Sequence, residues 1–201
     1  MTLRQLVLWR HGETDYNAEG RMQGHLDSAL TVAGWHQARR AVPALARFEP
    51  QLVVASDLRR ARDTASVFVE ASGVELRSDK RLRETNLGSW QGKTAAEIDA
   101  AEPTARQTWY SDPSWAPPGG ETKLEVAQRA ADMVAELDTE FEGTVLFAAH
   151  GGLITALVCS LLRLPPDCWS GLGGIDNCRW TVLRRRDGRW RLHCYNAGIT
   201  G

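Results

Sequence analysis

The sequence predicts an α/β fold: a three-layer αβα sandwich around a mostly parallel central sheet, in one domain spanning residues 1–201. Three observations carry this reading. Leu6–Trp9, Leu52–Ala55 and Val145–Ala149 are continuous apolar runs, as expected of strands buried on both faces. Each run is followed by a stretch whose apolar residues recur at helical spacing. The chain then closes on a hairpin pattern, with Arg179–Arg186 and Arg189–Tyr195 joined at Asp187-Gly188.

The elements follow in order. After Leu6–Trp9 and a polar loop, Thr31 caps a helix reaching about Phe48, with Ala38, Val42, Leu45 and Phe48 on one face. Leu52–Ala55 leads to a helix capped by Ser56 or Asp57, whose Leu58, Ala61, Ala65, Phe68 and Val69 form a stripe. Val74–Leu76 reads as a third strand, and Ser111–Gly120, rich in Pro, Gly and Trp, as a loop. Glu121 to Phe141 carries the longest helical pattern, with Leu124, Ala127, Ala131, Val134 and Leu137 inward. Val145–Ala149 passes through Gly151-Gly152 into the apolar helix Leu153–Leu162. In the terminal hairpin, Trp180, Val182, Trp190 and Leu192 alternate, and its outer face or edge is where a homodimer could form.

Composition excludes several function classes. With 43% hydrophobic and 24% charged residues over 201 positions, the chain is no disordered, collagen-like or disulfide-stapled sequence. A net charge of −1 leaves no global basic field for nucleic acid or an anionic membrane. No apolar stretch approaches the length of a membrane span. The four cysteines, Cys159, Cys168, Cys178 and Cys194, form no CxxC pair and read as reduced thiols of a cytoplasmic protein. No carboxylate pair or Asp/His cluster has the spacing to hold a divalent ion. Of 24 cationic residues 21 are Arg, the side chain that grips phosphate in two places.

The chemistry concentrates at strand ends. Ligands of open α/β sheets bind beyond the carboxyl ends of the strands. Leu6–Trp9 ends in Arg10-His11-Gly12, Val145–Ala149 in His150-Gly151-Gly152, and Leu52–Ala55 in Ser56-Asp57-Leu58-Arg59-Arg60. Two histidines and several arginines therefore converge on one sheet edge. Such a cluster suits a phosphoryl group: guanidinium forks and a protonated histidine, the role open to His150, meet its oxygens, and a neutral imidazole can attack phosphorus in line. Glu84, in the polar stretch after the third strand, is a candidate acid for the leaving oxygen.

These residues resemble the signature of the histidine phosphatase superfamily, which includes cofactor-dependent phosphoglycerate mutase. The likeness lies in Leu8 to Thr14 with Asn17, in Ser56–Ala65, in Leu82-Arg83-Glu84, in Pro118–Glu121 and in Ala149–Gly152, in family order. It implies a phosphoglycerate mutase-like fold and a metal-independent phosphomonoesterase with no organic cofactor. His11 would form the phosphohistidine, and Arg10, Arg60 and His150 would complete the phosphate pocket with Asn17. Glu84 would move the proton. Gln23, Gly24 and Gly151 would add substrate contacts.

Within the superfamily the chain leans toward hydrolysis. Mutases carry Arg-His-Tyr after the acid, where this chain has Thr85-Asn86-Leu87, and Ser111–Gly120 holds no basic residue to retain a bisphosphate. Asp15-Tyr16-Asn17, Arg21 to Gly24 and Leu172 to Asn177 resemble the actinobacterial branch that dephosphorylates glucosyl-3-phosphoglycerate. A small phosphorylated metabolite of that kind is the expected partner. The alternatives are a phosphoglycerate mutase and a non-catalytic phospho-ligand-binding module, which would have a degraded site.

Overall fold

The computed structural model describes residues 2–199. Its strands are β1 (Leu3–Arg10), β2 (Leu52–Ala55), β3 (Leu76–Ser78), β4 (Gly143–Ala149), β5 (Trp180–Arg186) and β6 (Arg189–Ala197). They form one sheet in the order β3-β2-β4-β1-β5-β6. The first four run parallel; β5 is antiparallel to β1, and β6 to β5. The sheet is thus mixed, with a parallel half that carries the strand ends and an antiparallel edge made by the hairpin. Asp187 and Gly188 turn that hairpin with φ of 52° and 72°, as a type I′ turn requires.

Seven helices, α1 (Asp15–Ala18), α2 (Val32–Ala46), α3 (Arg59–Ser72), α4 (Ala95–Ala101), α5 (Ala105–Ser111), α6 (Lys123–Glu140) and α7 (Gly151–Leu161), are found among the described residues. Side chains alternate across each strand, so β1 sends Leu6 and Leu8 to one face and Val7 and Trp9 to the other. The first face packs against α6 and α7 through Val126, Val134, Leu153 and Leu157. The second packs against α2 and α3 through Ala38, Leu45, Ala65 and Phe68. Strands buried on both faces read as unbroken apolar runs for this reason.

Several local expectations are corrected. Strand β3 lies at Leu76–Ser78 rather than Val74–Leu76, because its only partner is β2 and its edge residues are exposed. Helix α3 is entered through Leu58 with no side-chain cap. Ser56 Oγ instead accepts from Leu58 N at 3.3 Å, and Asp57 takes both ends of the Arg83 guanidinium at 2.7 and 2.6 Å. Helix α6 begins at Lys123, capped by a reciprocal Thr122–Glu125 box. Ala127, Val134 and Leu137 face inward as expected, joined by Val126, Ala130 and Met133, whereas Leu124 is turned to solvent. Leu192 is also exposed, while Thr31 caps α2 as expected, accepting from Gly34 N at 3.0 Å. The short helices α4 and α5 carried no sequence signal. They close over a separate apolar cluster of Leu87, Trp90 and Ile98, against which Trp109 and Trp115 pack.

The loop after β1 is seated on α2 by two glycines. A Cβ on Gly12 would meet Gly34 O at 2.5 Å, and one on Gly34 would meet Glu13 O at 2.1 Å. The backbone itself fills this space, so neither neighbour can yield. Gly34→Ala should therefore cost about 1–3 kcal/mol in urea unfolding. Gly171→Ala, with open space around its Cβ, should stay within about 0.5 kcal/mol. Equal effects would refute the close approach.

Candidate active site

The strand register builds the centre of the site. Arg10 on β1 pairs with Ala149 on β4, so the next residues, His11 and His150, leave neighbouring strand ends side by side. Their rings meet edge to face with centroids 5.2 Å apart, and both are buried. His11 Nδ1 lies 2.7 Å from Gly12 O. Donation of the Nδ1 proton to that carbonyl leaves Nε2 with its lone pair free. The loop is fixed further by Gly12 N donating to Thr64 Oγ1 at 3.1 Å, and by Asn177 Nδ2 donating to His11 O at 3.1 Å.

Two guanidinium groups flank the histidines. Arg60, in the first turn of α3, is fully buried, and its two terminal nitrogens donate to Leu26 O and Gly24 O at 2.8 Å each. Arg10 donates to Ile175 O. The Nε atoms of both arginines, and both ring nitrogens of His150, are buried without a protein partner. Unpaired buried polar groups of this kind are costly, and a bound anion would meet the two Nε–H donors and the N–H of the His150 ring. Burial lowers Arg60 to about 10, and it lowers Arg10 as well. Burial, then the charges of Arg60 and Arg10, push His11 well below its usual range; burial and Arg60 lead the same shift in His150. Both rings are therefore neutral in the free protein near neutrality. The cationic character of the pocket comes from the arginines, not from a protonated His150.

Glu84 faces this cluster from another direction. One carboxylate oxygen accepts from Thr85 N and Leu153 N at 2.8 and 2.9 Å, the other from Gly152 N at 3.0 Å. The start of α7 thus holds it through backbone donors. A Cβ on Gly152 would meet Glu84 Oε1 at 2.7 Å, so glycine is required for that approach.

Behind Glu84 stands a network that has no counterpart among the expected site residues. Arg129 on α6 donates to Arg81 O and Arg83 O at 2.7 Å and to Glu84 O at 2.9 Å. It also pairs with Glu121 at 3.0 Å, and Glu121 accepts from Asn86 N at 2.8 Å. His25 Nε2 lies 2.8 Å from Glu84 O. The block Pro118–Glu121 was visible in the sequence, but nothing local revealed that it clasps the segment carrying the acid.

A cavity of about 200 Å³ unites Arg10, His11, Asn17, Gln23, Arg60 and Glu84. Asn17 Oδ1 is taken by the Thr14 cap and by Asn177 Nδ2, which leaves its own amide NH₂ as the end for a ligand. Gln23 is buried and accepts from Ser28 Oγ. Gly24 lines the cavity, yet its carbonyl serves Arg60. Gly151 faces a second, adjoining chamber of about 490 Å³ that shares Arg10, Glu84 and Gly152 with the first.

Neutral burial of the two histidines has a linked consequence for stability. Their folded-state pKa values lie below the unfolded value of 6.5, so the unfolded chain takes up protons first as pH falls. Stability present above pH 6.5 should be lost below it, at about 1.4 kcal/mol per pH unit for each histidine. In phosphate-free buffer, His150→Gln should make the fall of unfolding free energy between pH 6.5 and 5 visibly shallower. A slope identical to that of the parent would overturn the assignment of a neutral ring.

Comparison with known proteins places the site in a family. The model for "Histidine phosphatase superfamily (branch 1)" matches residues 6–198. A glucosyl-3-phosphoglycerate phosphatase of Mycolicibacterium vanbaalenii is 47% identical over 98% of this chain and 96% of its own. A metal-independent phosphoserine phosphatase of Arabidopsis thaliana is 32% identical over 96% of this chain and 81% of its own. The solved structure of a mycobacterial glucosyl-3-phosphoglycerate phosphatase with VO3 superposes at a TM-score of 0.94, with 49% identity, covering 97% of this chain and 100% of that one. With a family model matched along nearly its whole length and full-length relatives close to half identical, the chain belongs to the histidine phosphatase superfamily, branch 1, as one of its phosphatases.

Proposed function

We propose that this phosphatase works without a metal, passing the phosphoryl group through His11, and that its substrate is glucosyl-3-phosphoglycerate. The observation that carries the mechanism is the His11 ring itself. It is neutral, oriented through Nδ1 by Gly12 O, and opens Nε2 toward a cavity bordered by two arginines and a carboxylate. Nε2 attacks phosphorus as the P–O bond to the leaving alcohol breaks, and Glu84 gives that oxygen its proton. Glu84 then takes a proton from water as the water attacks the phosphohistidine, releasing phosphate and restoring Nε2. Arg10, Arg60 and His150 supply the unpaired donors for the phosphoryl oxygens, and Asn17 adds its amide. The neutral ring of His150 needs its Nε2 or Nδ1 proton directed at an oxygen for this role.

The chain carries all five residues, Arg10, His11, Arg60, Glu84 and His150, which speaks against a non-catalytic binding module with a degraded site. The substrate assignment rests on the relatives in mycobacteria, which act on glucosyl-3-phosphoglycerate and match along the full chain. Gln23, Gly24 and Gly151 are the residues we assign to the substrate walls. Four unpaired cysteines suit the reducing cytoplasm as its location.

Two measurements test the mechanism. His11→Ala should lower kcat at least about a thousandfold and abolish an acid-labile, base-stable phosphoenzyme, whereas chelation of wild type should change nothing. Normal turnover by His11→Ala, or loss of activity on chelation, would refute it. Glu84→Gln should slow glucosyl-3-phosphoglycerate by about 10²–10⁴-fold but p-nitrophenyl phosphate far less, because a good leaving group needs little protonation. Equal slowing of the two would remove Glu84 from the acid role.

A further inference from the structure

We propose that Lys123 is a specificity-determining residue: its ammonium receives a carboxylate borne by the alcohol half of the substrate, in the chamber beside the phosphate pocket. This deepens, and rests on, the phosphatase reading above.

The chamber of about 490 Å³ adjoins the phosphate pocket and shares with it Glu84, Thr85, Trp109, Tyr110 and Gly152. Glu84 is the group that meets the leaving oxygen, so the alcohol half of a bound ester extends past Glu84 into this chamber. Its floor is α7, with Thr155 and Ala156; its far wall is the segment from Trp169 to Ile175. Besides Arg10, which spends a donor on Ile175 O, Lys123 is the one cationic residue among those that line it.

Lys123 is held there without its charge being answered. It is half-buried in the first turn of α6, and Nζ donates to Tyr110 O at 3.1 Å. Nζ also lies 4.9 Å from the Trp109 ring centroid and 5.8 Å from that of Tyr110. Those aromatic faces orient an ammonium without neutralising it. Burial lowers the Lys123 pKa, and Cys159 and then Asp112, whose carboxylate is occupied by Ser114, only partly offset this. Nζ forms no ion pair among the described residues, and two of its three N–H donors have no protein acceptor there. A desolvated, oriented cation with free donors on the wall of a substrate chamber fits a carboxylate far better than a neutral hydroxyl.

The test uses a matched pair of esters, 3-phosphoglycerate and glycerol 3-phosphate, which differ by a carboxylate in place of a hydroxymethyl group. Wild type should favour 3-phosphoglycerate in kcat/KM by at least about tenfold, the scale of one hydrogen bond to a charged group. Lys123→Met should raise KM for 3-phosphoglycerate by about that factor and leave glycerol 3-phosphate within about twofold, while Lys123→Arg keeps the preference. No preference in wild type, or equal changes for both esters in Lys123→Met, would overturn the assignment. Should Lys123→Met melt early, inhibition of wild-type p-nitrophenyl phosphate hydrolysis decides: glycerate should compete at much lower concentration than glycerol, and equal potency overturns the assignment. Wild type that hydrolyses neither these esters nor glucosyl-3-phosphoglycerate would refute the phosphohistidine reading itself, and the subsite with it.

Discussion

Two guanidinium groups are buried beside two histidines, with Glu84 the carboxylate that lines the same cavity, and the rest of the molecule is organised around that cluster of positive charge. Burying an uncompensated charge is among the costliest things a fold can do. Here backbone carbonyls do the solvating: Gly24 O and Leu26 O for Arg60, and Ile175 O for Arg10. The loops carrying these carbonyls come from distant parts of the chain, so their conformations are tied to the charges they surround. Burial, with the same charges, keeps both imidazoles neutral, and neutrality is what the proposed nucleophile at His11 needs. Concentrated positive charge and readiness for chemistry are one property. An anion that occupies the pocket stabilises the fold by mass action.

Much of this was legible in the sequence, and the exceptions have physical reasons. Strands β1, β2 and β4 announced themselves because both of their faces are covered, and His11 and His150 followed because strand ends are where such sheets place ligands. Strand β3, an exposed edge of three residues, offered no comparable pattern. Helices α4 and α5 are seven residues each, too short for periodicity to mark, and they depend on the Trp90 cluster for their stability. Leu124 shows the opposite error: an apolar residue at the right spacing that the first turn of α6 points outward.

Glu84 marks the limit of local reading. Its identity as an acid could be suspected from the polar stretch around it, but its position depends on Gly152, Leu153, Arg129 and Glu121, which lie far away in the chain. Gly24 illustrates the same limit from the other side. Placed beside the ligand by the sequence pattern, it does line the pocket, yet its carbonyl is spent on the Arg60 guanidinium. No one-dimensional signal distinguishes a glycine that touches a ligand from one that supports the residue touching it.

The anchoring of Glu84 through main-chain donors carries a consequence for how such an enzyme can change. Because α7 holds the acid by its peptide groups, the side chains of Thr155 and Ala156 further along the helix are free of that duty. The aromatic segment around Trp109 and the stretch from Trp169 to Ile175 lie outside the strand ends as well. Selection can therefore remodel the chamber wall one residue at a time while the reacting centre stays untouched. A scaffold divided in this way can acquire new substrates by drift in its loops, without passing through an inactive ancestor.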